Sequence, residues 1–225
     1  VDTNEKSSFE EGLASLGIAA TEQQITALLS YCNLLEETNR SFNLTRIPRP
    51  DYVPLHLLDS LTCLPLIGNR AVQRIIDVGT GAGFPAVPLA ALLPEIPVVA
   101  LDATLKKVRW VEQSAHAVGI TNIKGIHARA EALARTAEHG ERYDVVVSRA
   151  VAPLVKLTEL VLPLVAPGGT VLAMKGQGFE AELELARTGL EKLGGTLHRV
   201  HEIVLPGTDI HRFILVIEKT TRSAR

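Results

Sequence analysis

The sequence predicts an α/β fold: a doubly wound, mostly parallel sheet with an antiparallel edge strand, preceded by an N-terminal helical extension. Three observations predict it. From residue 74 onward, short apolar runs alternate with segments of helical period, the pattern of strands joined by crossover helices. The first such run ends in a glycine-rich turn, where sheets of this kind bind their ligands. The last two apolar runs flank Pro206-Gly207, a hairpin signal that ends the parallel alternation.

Two capping-box patterns open the chain. Ser8 followed by Glu11 precedes Phe9, Leu13 and Leu16, and Thr21 followed by Gln24 precedes Ile25, Leu28, Leu29, Cys32 and Leu35. Each cap is expected to satisfy orphan N–H groups at a helix start. Pro48, Pro50 and Pro54 mark an irregular stretch, because proline lacks the donor a helix interior needs. Leu57, Leu58, Leu61 and Leu64 then predict a third main helix ending before Pro65. Residues 1–68 therefore form the expected helical region and residues 69–225 the sheet domain. In the latter, strands are expected at 74–78, 97–101, 122–127, 143–147 and 170–175. Helices are expected at 87–93, 106–118 and 178–194, and a closing hairpin at 197–205 and 212–218.

Size and composition fit that plan. With 225 residues, 46% of them hydrophobic and 21% charged, the chain can bury roughly 70% of its unfolded surface and is not a disordered polymer. No apolar run reaches the ~18 residues of a membrane span, and no charged-then-apolar leader opens the sequence. Cys32 and Cys63 are too few for a disulfide framework and read as buried hydrophobes in a reducing cytosol. The seven histidines lack metal-ligand spacing, so no metal is expected. The net charge is −2, yet the acidity is local: residues 1–40 hold seven acids against Lys6 and Arg40. The remainder is modestly basic, which leaves room for a cationic working face.

The most informative segment is Asp77-Val78-Gly79-Thr80-Gly81-Ala82-Gly83. Glycines at 79, 81 and 83 permit positive φ and a close ligand approach. Asp102 ends the second expected strand, where its carboxylate can accept both hydroxyl hydrogens of an adenosine ribose; alone, it could equally cap the turn at Thr104–Lys107. A dinucleotide loop places its third glycine later, and Pro85 removes a helix N–H that a diphosphate would use. The D-x-G-x-G-x-G form suits S-adenosylmethionine, whose amino-acid portion carries no phosphate. A nicotinamide-dependent oxidoreductase is the enzymatic alternative, and a non-catalytic module that senses the donor or attaches to ribosomes is the binding alternative.

Acceptor chemistry follows by elimination. The Asn/Asp-Pro-Pro-aromatic clamp for exocyclic base amines is absent after the fourth strand, which ends Val147-Ser148-Arg149-Ala150. No cysteine lies at a strand end to attack a pyrimidine carbon. A guanine N7 needs no general base, so positioning and electrostatics suffice. Arg129, Arg149, Lys175 and Arg212 are the basic candidates for that work, with local salt bridges as the alternative for each. His56 and Asp59, one helical turn apart, either face the pocket or pair on a polar helix face. Glu131 could be a helix-start acid.

On Asn43-Leu44-Thr45, His56-Leu57-Leu58-Asp59-Ser60, Asp77 to Pro85, Ser148-Arg149-Ala150 and Lys175-Gly176-Gln177, the chain resembles the glucose-inhibited division protein B family. These are bacterial methyltransferases acting on guanine N7 in small-subunit ribosomal RNA. The resemblance implies a class I (Rossmann-like) methyltransferase sheet with S-adenosylmethionine held around Gly79, Phe84, Asp102, Ala103, Thr104, Ala130, Glu131 and Arg149, while the glycine motif itself has Gly79, Gly81 and Gly83 admit the donor. It implies that Arg129, Arg149 and Arg212 serve substrate binding or methyl transfer. The expected partner is small-subunit ribosomal RNA or the ribosomal particle, and the expected enzyme is a cytoplasmic monomer without metal or membrane attachment.

Overall fold

The computed structural model describes residues 3–67 and 71–220. The expected boundary at residues 68 and 69 lies outside them. Seven strands form one sheet in the order β3-β2-β1-β4-β5-β7-β6. They are β1 (Ile75–Val78), β2 (Val98–Asp102), β3 (Ile123–His127), β4 (Tyr143–Arg149), β5 (Val165–Lys175), β6 (Gly195–Val204) and β7 (His211–Lys219). The first five run parallel, and β7 is antiparallel to both neighbours. The antiparallel strand thus lies one place inside the edge, which β6 supplies. The order reverses between β1 and β4, so their carboxyl ends diverge into a crevice.

Adjacent β1 residues serve opposite faces of the sheet, which is why the strand reads as a continuous apolar run. Ile75 joins one core together with Phe9, Leu28, Leu57 and Leu89. Ile76 joins the other, together with Leu157, Phe179 and Leu190. The first core unites the helical region, α1 (Thr3–Ser15) and α2 (Glu22–Asn39), with α5 (Ala86–Leu92) and α6 (Leu105–Ala117). The second packs α7 (Ala130–Leu133), α8 (Leu154–Val161) and α9 (Phe179–Lys192).

Two expectations about helix ends are corrected. Ser8 lies exposed inside α1, which already begins by Thr3. No helix breaker precedes Ser8, and an ion pair from Lys6 to Glu22 at 2.6 Å helps anchor the upstream turn. Helix continuation therefore wins over capping. Thr21, by contrast, closes a reciprocal capping box with Gln24 as expected. The third helical stretch also differs. It is π-helical over Val53–Leu58, continues as α3 (Asp59–Leu61), and after a turn resumes as α4 (Leu64–Ile67) with Pro65 in its first turn. A missing N–H costs nothing there, because first-turn donors have no helical acceptor.

Strand β5 begins at Val165, five residues before the expected start. Its pairing with β4 jumps from Tyr143↔Val165 to Val145↔Thr170, so the segment before Thr170 is an irregularity within the strand.

Candidate active site

The turn after β1 is held by its own backbone. Gly79 N and Thr80 N donate to Leu101 O at 2.8 and 3.0 Å, while Gly83 N and Phe84 N donate to Thr80 O at 2.9 and 3.0 Å. Gly81 N donates to Asp102 Oδ2 at 3.1 Å, and Ala86 N to Asp77 Oδ2 at 3.2 Å. With Pro85 contributing no N–H, the helix start offers little to a diphosphate, which argues against a dinucleotide. Positive φ at Gly81 opens onto the cavity, whereas Gly83 turns away: a Cβ there would strike the Tyr31 hydroxyl. That hydroxyl donates to Ala82 O at 2.9 Å, tying α2 to the loop.

A cavity of about 370 Å³ lies against this turn, lined by Gly79, Gly81, Phe84, Asp102, Arg149 and Ala150, among others. Asp102 Oδ1 accepts from Thr104 N at 2.8 Å, so its carboxylate is braced on both oxygens by backbone. Each oxygen keeps a lone pair for a ligand hydroxyl; Asp102 thus caps its own turn and faces the cavity. The fit to a phosphate-free nucleoside is good, since backbone, one carboxylate and an aromatic ring line the space while loop donors are spent internally.

Asp77, at the base of the turn, is fully buried. Burial pushes its carboxyl up to about 7. Its Oδ1 and the Thr80 hydroxyl oxygen have no hydrogen-bond partner among the described residues. Sequence reasoning treated Asp77 only as the start of the motif; an acid inside an otherwise apolar strand was the signal it offered.

A second cavity of about 330 Å³ adjoins the first, lined by Leu55, Asp59, Met174, Lys175, Gly176 and Arg212, among others. Arg149 and Ala150 line both. Ala150 has φ 56, a left-handed conformation uncommon for a residue with a Cβ and a recurrent mark of functional turns.

Arg149 organises the junction. Its Nη1 donates to Leu55 O at 2.9 Å and to Asp59 Oδ2 at 2.8 Å, and its Nη2 donates to His56 Nδ1 at 3.2 Å. Arg212 Nε donates to the other oxygen of Asp59 at 3.0 Å. One carboxylate, 2% exposed, therefore aligns two guanidinium groups. Because Arg149 can only donate, His56 Nδ1 is the acceptor and Nε2 carries the proton toward Thr45 Oγ1 at 2.9 Å. Burial and the neighbouring Arg149 cation hold the His56 imidazole down to about 3. The ring stacks on Phe84, centroids 4.3 Å apart and planes within 10°. Thr45 is fixed in turn by Asn39, whose Oδ1 accepts from Leu44 N and Thr45 N at 2.8 and 3.0 Å. His56 and Asp59 thus do not pair with each other; both hold Arg149. The residues quoted from the separate motifs form one relay.

Lys175 Nζ donates to Ala152 O at 2.9 Å and Glu182 Oε2 at 2.7 Å, and that carboxylate oxygen also accepts from Leu154 N at 2.7 Å. The hydrogen bond from Lys175 holds Glu182 below its ordinary value. Lys175 therefore pins the segment after β4.

Of the residues expected around the donor, Gly79, Gly81, Phe84, Asp102 and Arg149 line the first cavity. Gly83 packs behind it, and Ala103, Thr104, Ala130 and Glu131 lie on adjoining segments outside its lining. Of the three arginines, Arg149 and Arg212 come together on Asp59. Arg129, exposed at the start of α7, lines neither cavity. Thr45, Lys107 and Val151 also line the donor cavity without having been anticipated. Among the described residues no cluster of His, Cys, Asp or Glu could hold a metal ion, and no helix is long and apolar enough to cross a membrane.

Comparisons with known proteins show the fold and the family. The O-methyltransferase TomG from Streptomyces achromogenes, solved in complex with SAM, superposes with TM-score 0.58 at 16% identity, covering 93% of this chain and 94% of that one; at that identity the likeness shows the fold. TrmN from Thermus thermophilus superposes with TM-score 0.56 at 25% identity, over 72% of this chain and 48% of that one. The Ribosomal RNA small subunit methyltransferase G of Symbiobacterium thermophilum is 42% identical over 217 residues, 94% of this chain and 88% of that protein. The protein of the same name from Desulforamulus reducens is 40% identical over 204 residues, 90% and 85% respectively. The family model GidB, described as rRNA small subunit methyltransferase G, matches residues 24–210, and the chain belongs to that family.

Proposed function

We infer that this chain transfers a methyl group from S-adenosylmethionine to N7 of a guanine in 16S ribosomal RNA. The observation that carries this reading is the pair of cavities meeting at Arg149 and Ala150. One has the backbone and carboxylate a nucleoside donor needs, and the other has the cations an RNA acceptor needs. Bound there, S-adenosylmethionine would supply a sulfonium methyl: the N7 lone pair would form the new N–C bond as the C–S bond breaks, its electron pair staying on the departing thioether sulfur and the positive charge passing to the base. No proton leaves N7, so the protein's task is to align donor and base.

Residue roles follow from the contacts. Asp102 receives the ribose hydroxyls, Gly79 and Gly81 admit the donor to the main chain, and Phe84 provides an apolar wall. Ala103, Thr104, Ala130 and Glu131 extend that donor site on the segments flanking it, while Gly83 lets the loop close on Tyr31. Arg149 and Arg212 orient the RNA from Asp59. Arg129, exposed at the start of α7 and without a partner among the described residues, takes a phosphate. Residues 1–68 act as a helical extension of a methyltransferase domain at 69–225, and the extension contributes Thr45, His56 and Asp59 to the site. The enzyme works as a cytoplasmic monomer on small-subunit RNA or the ribosomal particle.

The test is to incubate the purified protein and methyl-labelled donor with small subunits, or 16S RNA, from cells lacking the enzyme, and to map N7-methylguanine by chain cleavage. A single new mark is expected. Absence of label from every ribosomal RNA, with donor binding intact, would overturn the assignment.

A further inference from the structure

Three glycines line the two cavities, and one of them has no reason internal to the protein. Gly79 and Gly81 need positive φ, 79 and 59 respectively. Gly176 lies outside that region of φ, and a Cβ built on it meets nothing within 4 Å. Neither backbone conformation nor packing calls for glycine there. Its missing side chain keeps open the second cavity, between Met174 and Leu55 on one hand and Asp59 with its two arginines on the other.

The polar groups of that cavity are mostly donors. Asp59 has both oxygens engaged by Arg149 and Arg212. Arg212 uses only its Nε, so its two terminal amino groups have no partner among the described residues. The walls from Leu55 and Met174 are apolar. A cavity with apolar walls and unspent guanidinium donors suits an aromatic base that bears an acceptor on its edge. Guanine presents O6 beside N7; adenine presents an amino donor in the same place, which the arginine repels.

We propose that this cavity seats the acceptor guanine, swung out of its RNA stack, with Gly176 leaving room for the ring and Arg212 donating to O6. The proposal rests on the methyl-transfer reading above. N7 must stay free to receive the methyl group, so the arginine contact falls on O6 alone and not on both acceptors as in a duplex reader. Extrusion follows from where N7 lies: in an A-form helix it is at the bottom of a deep, narrow groove that side chains do not enter. A recessed cavity beside the donor takes the base only after it has left the stack.

The experiment compares wild type with Gly176→Ala and Gly176→Leu on small ribosomal subunits. It measures melting temperature, donor affinity by calorimetry and single-turnover methylation. Gly176→Leu is expected to bind the donor within about twofold of wild type and to methylate about 100-fold more slowly or worse, while Gly176→Ala stays within about fivefold. A Gly176→Leu protein that methylates at the wild-type rate overturns the cavity assignment and leaves the methyltransferase reading standing. A wild type inactive on all ribosomal RNA overturns both. A second arm needs no folded Gly176 variant. The mapped guanine is replaced, by splinted ligation, with 2-aminopurine, which keeps N7 but has hydrogen in place of O6. This should slow wild type about tenfold or more and Arg212→Ala by less than about threefold. Equal slowing of the two proteins overturns the O6 contact.

Discussion

Replacing Asp59 with asparagine tests the central arrangement, because a single buried carboxylate aligns both arginines. Its two oxygens accept from Arg149 Nη1 at 2.8 Å and Arg212 Nε at 3.0 Å. Asparagine keeps one acceptor and turns the other toward a guanidinium as a donor. Arg149 retains Leu55 O and His56 Nδ1, whereas Arg212 has no second partner among the described residues, so the amide oxygen stays with Arg149 and Arg212 is released. A charge-assisted hydrogen bond contributes about 1.5–3 kcal/mol, and breaking a buried pair costs about 3–5 kcal/mol. The arginine side chains are 16% and 26% exposed, which places the loss near the lower end, about 2–3 kcal/mol. For a domain of this size that lowers Tm by roughly 4–12 °C. Donor affinity, carried by Asp102 and the glycine turn, should change less than about fivefold by calorimetry. Single-turnover methylation of small subunits should fall about 100-fold. Wild-type turnover at a lowered Tm would reduce Asp59 to a structural ion pair. A fall in donor affinity as large as the fall in turnover would mean that it shapes the donor cavity instead.

Three further outcomes are expected. Asp102→Ala should weaken donor binding about 10- to 100-fold, the value of hydroxyl hydrogen bonds to a charged acceptor, and unchanged calorimetric affinity would remove Asp102 from the ribose. Asp77→Asn addresses the buried acid. With its carboxyl pushed up from 3.8 to about 7, the native state holds a proton that the unfolded chain has released between those values, so this group makes stability fall as pH rises through that window. About three units correspond to about 4 kcal/mol, and wild type should therefore lose Tm relative to Asp77→Asn as pH rises from about 4 to about 7; parallel curves would contradict this. Arg129→Ala, which removes an exposed side chain, should leave Tm within about 2 °C while raising KM for the RNA and lowering its salt dependence. An unaltered KM at every salt concentration would remove it from the RNA path.

What could be read from the sequence was what local chemistry writes into local residues. Positive φ writes glycine, and so Gly79 and Gly81 announced the donor turn; strands covered on both faces write unbroken apolar runs, and so β1, β2 and β4 were found. The arginine clamp was written nowhere locally. Asp59 meets Arg149 from 90 positions away and Arg212 from 153, and only the sheet order brings them together. Ala150 adopts a left-handed conformation without the glycine or asparagine that signals one. The Ser8–Glu11 pattern misled because a capping box has force only where a helix must start, and nothing upstream of Ser8 forbids the helix. Tyr31 lies in α2 outside every pattern the sequence offered, although its hydroxyl fixes the donor turn.

The protonation of His56 has to be considered together with the direction in which charge moves. Methyl transfer takes a positive charge from sulfur in one cavity and leaves it on a purine in the next. Every fixed cation near the acceptor opposes that arrival, and the clamp already holds Arg149 and Arg212 against a single carboxylate. A third positive group in contact with Arg149 would raise the barrier further, since at low effective dielectric such repulsion amounts to several kcal/mol. The imidazole avoids this through where it is buried. Stacked on Phe84 and hydrogen-bonded at Nδ1 by a residue that can only donate, it takes up a proton only near pH 3. It therefore orients Arg149 as a neutral acceptor at neutral pH. A lysine or arginine at position 56 would fill similar space but reverse this electrostatic role. Histidine suits the position because burial removes its charge while leaving both ring nitrogens to hold the clamp.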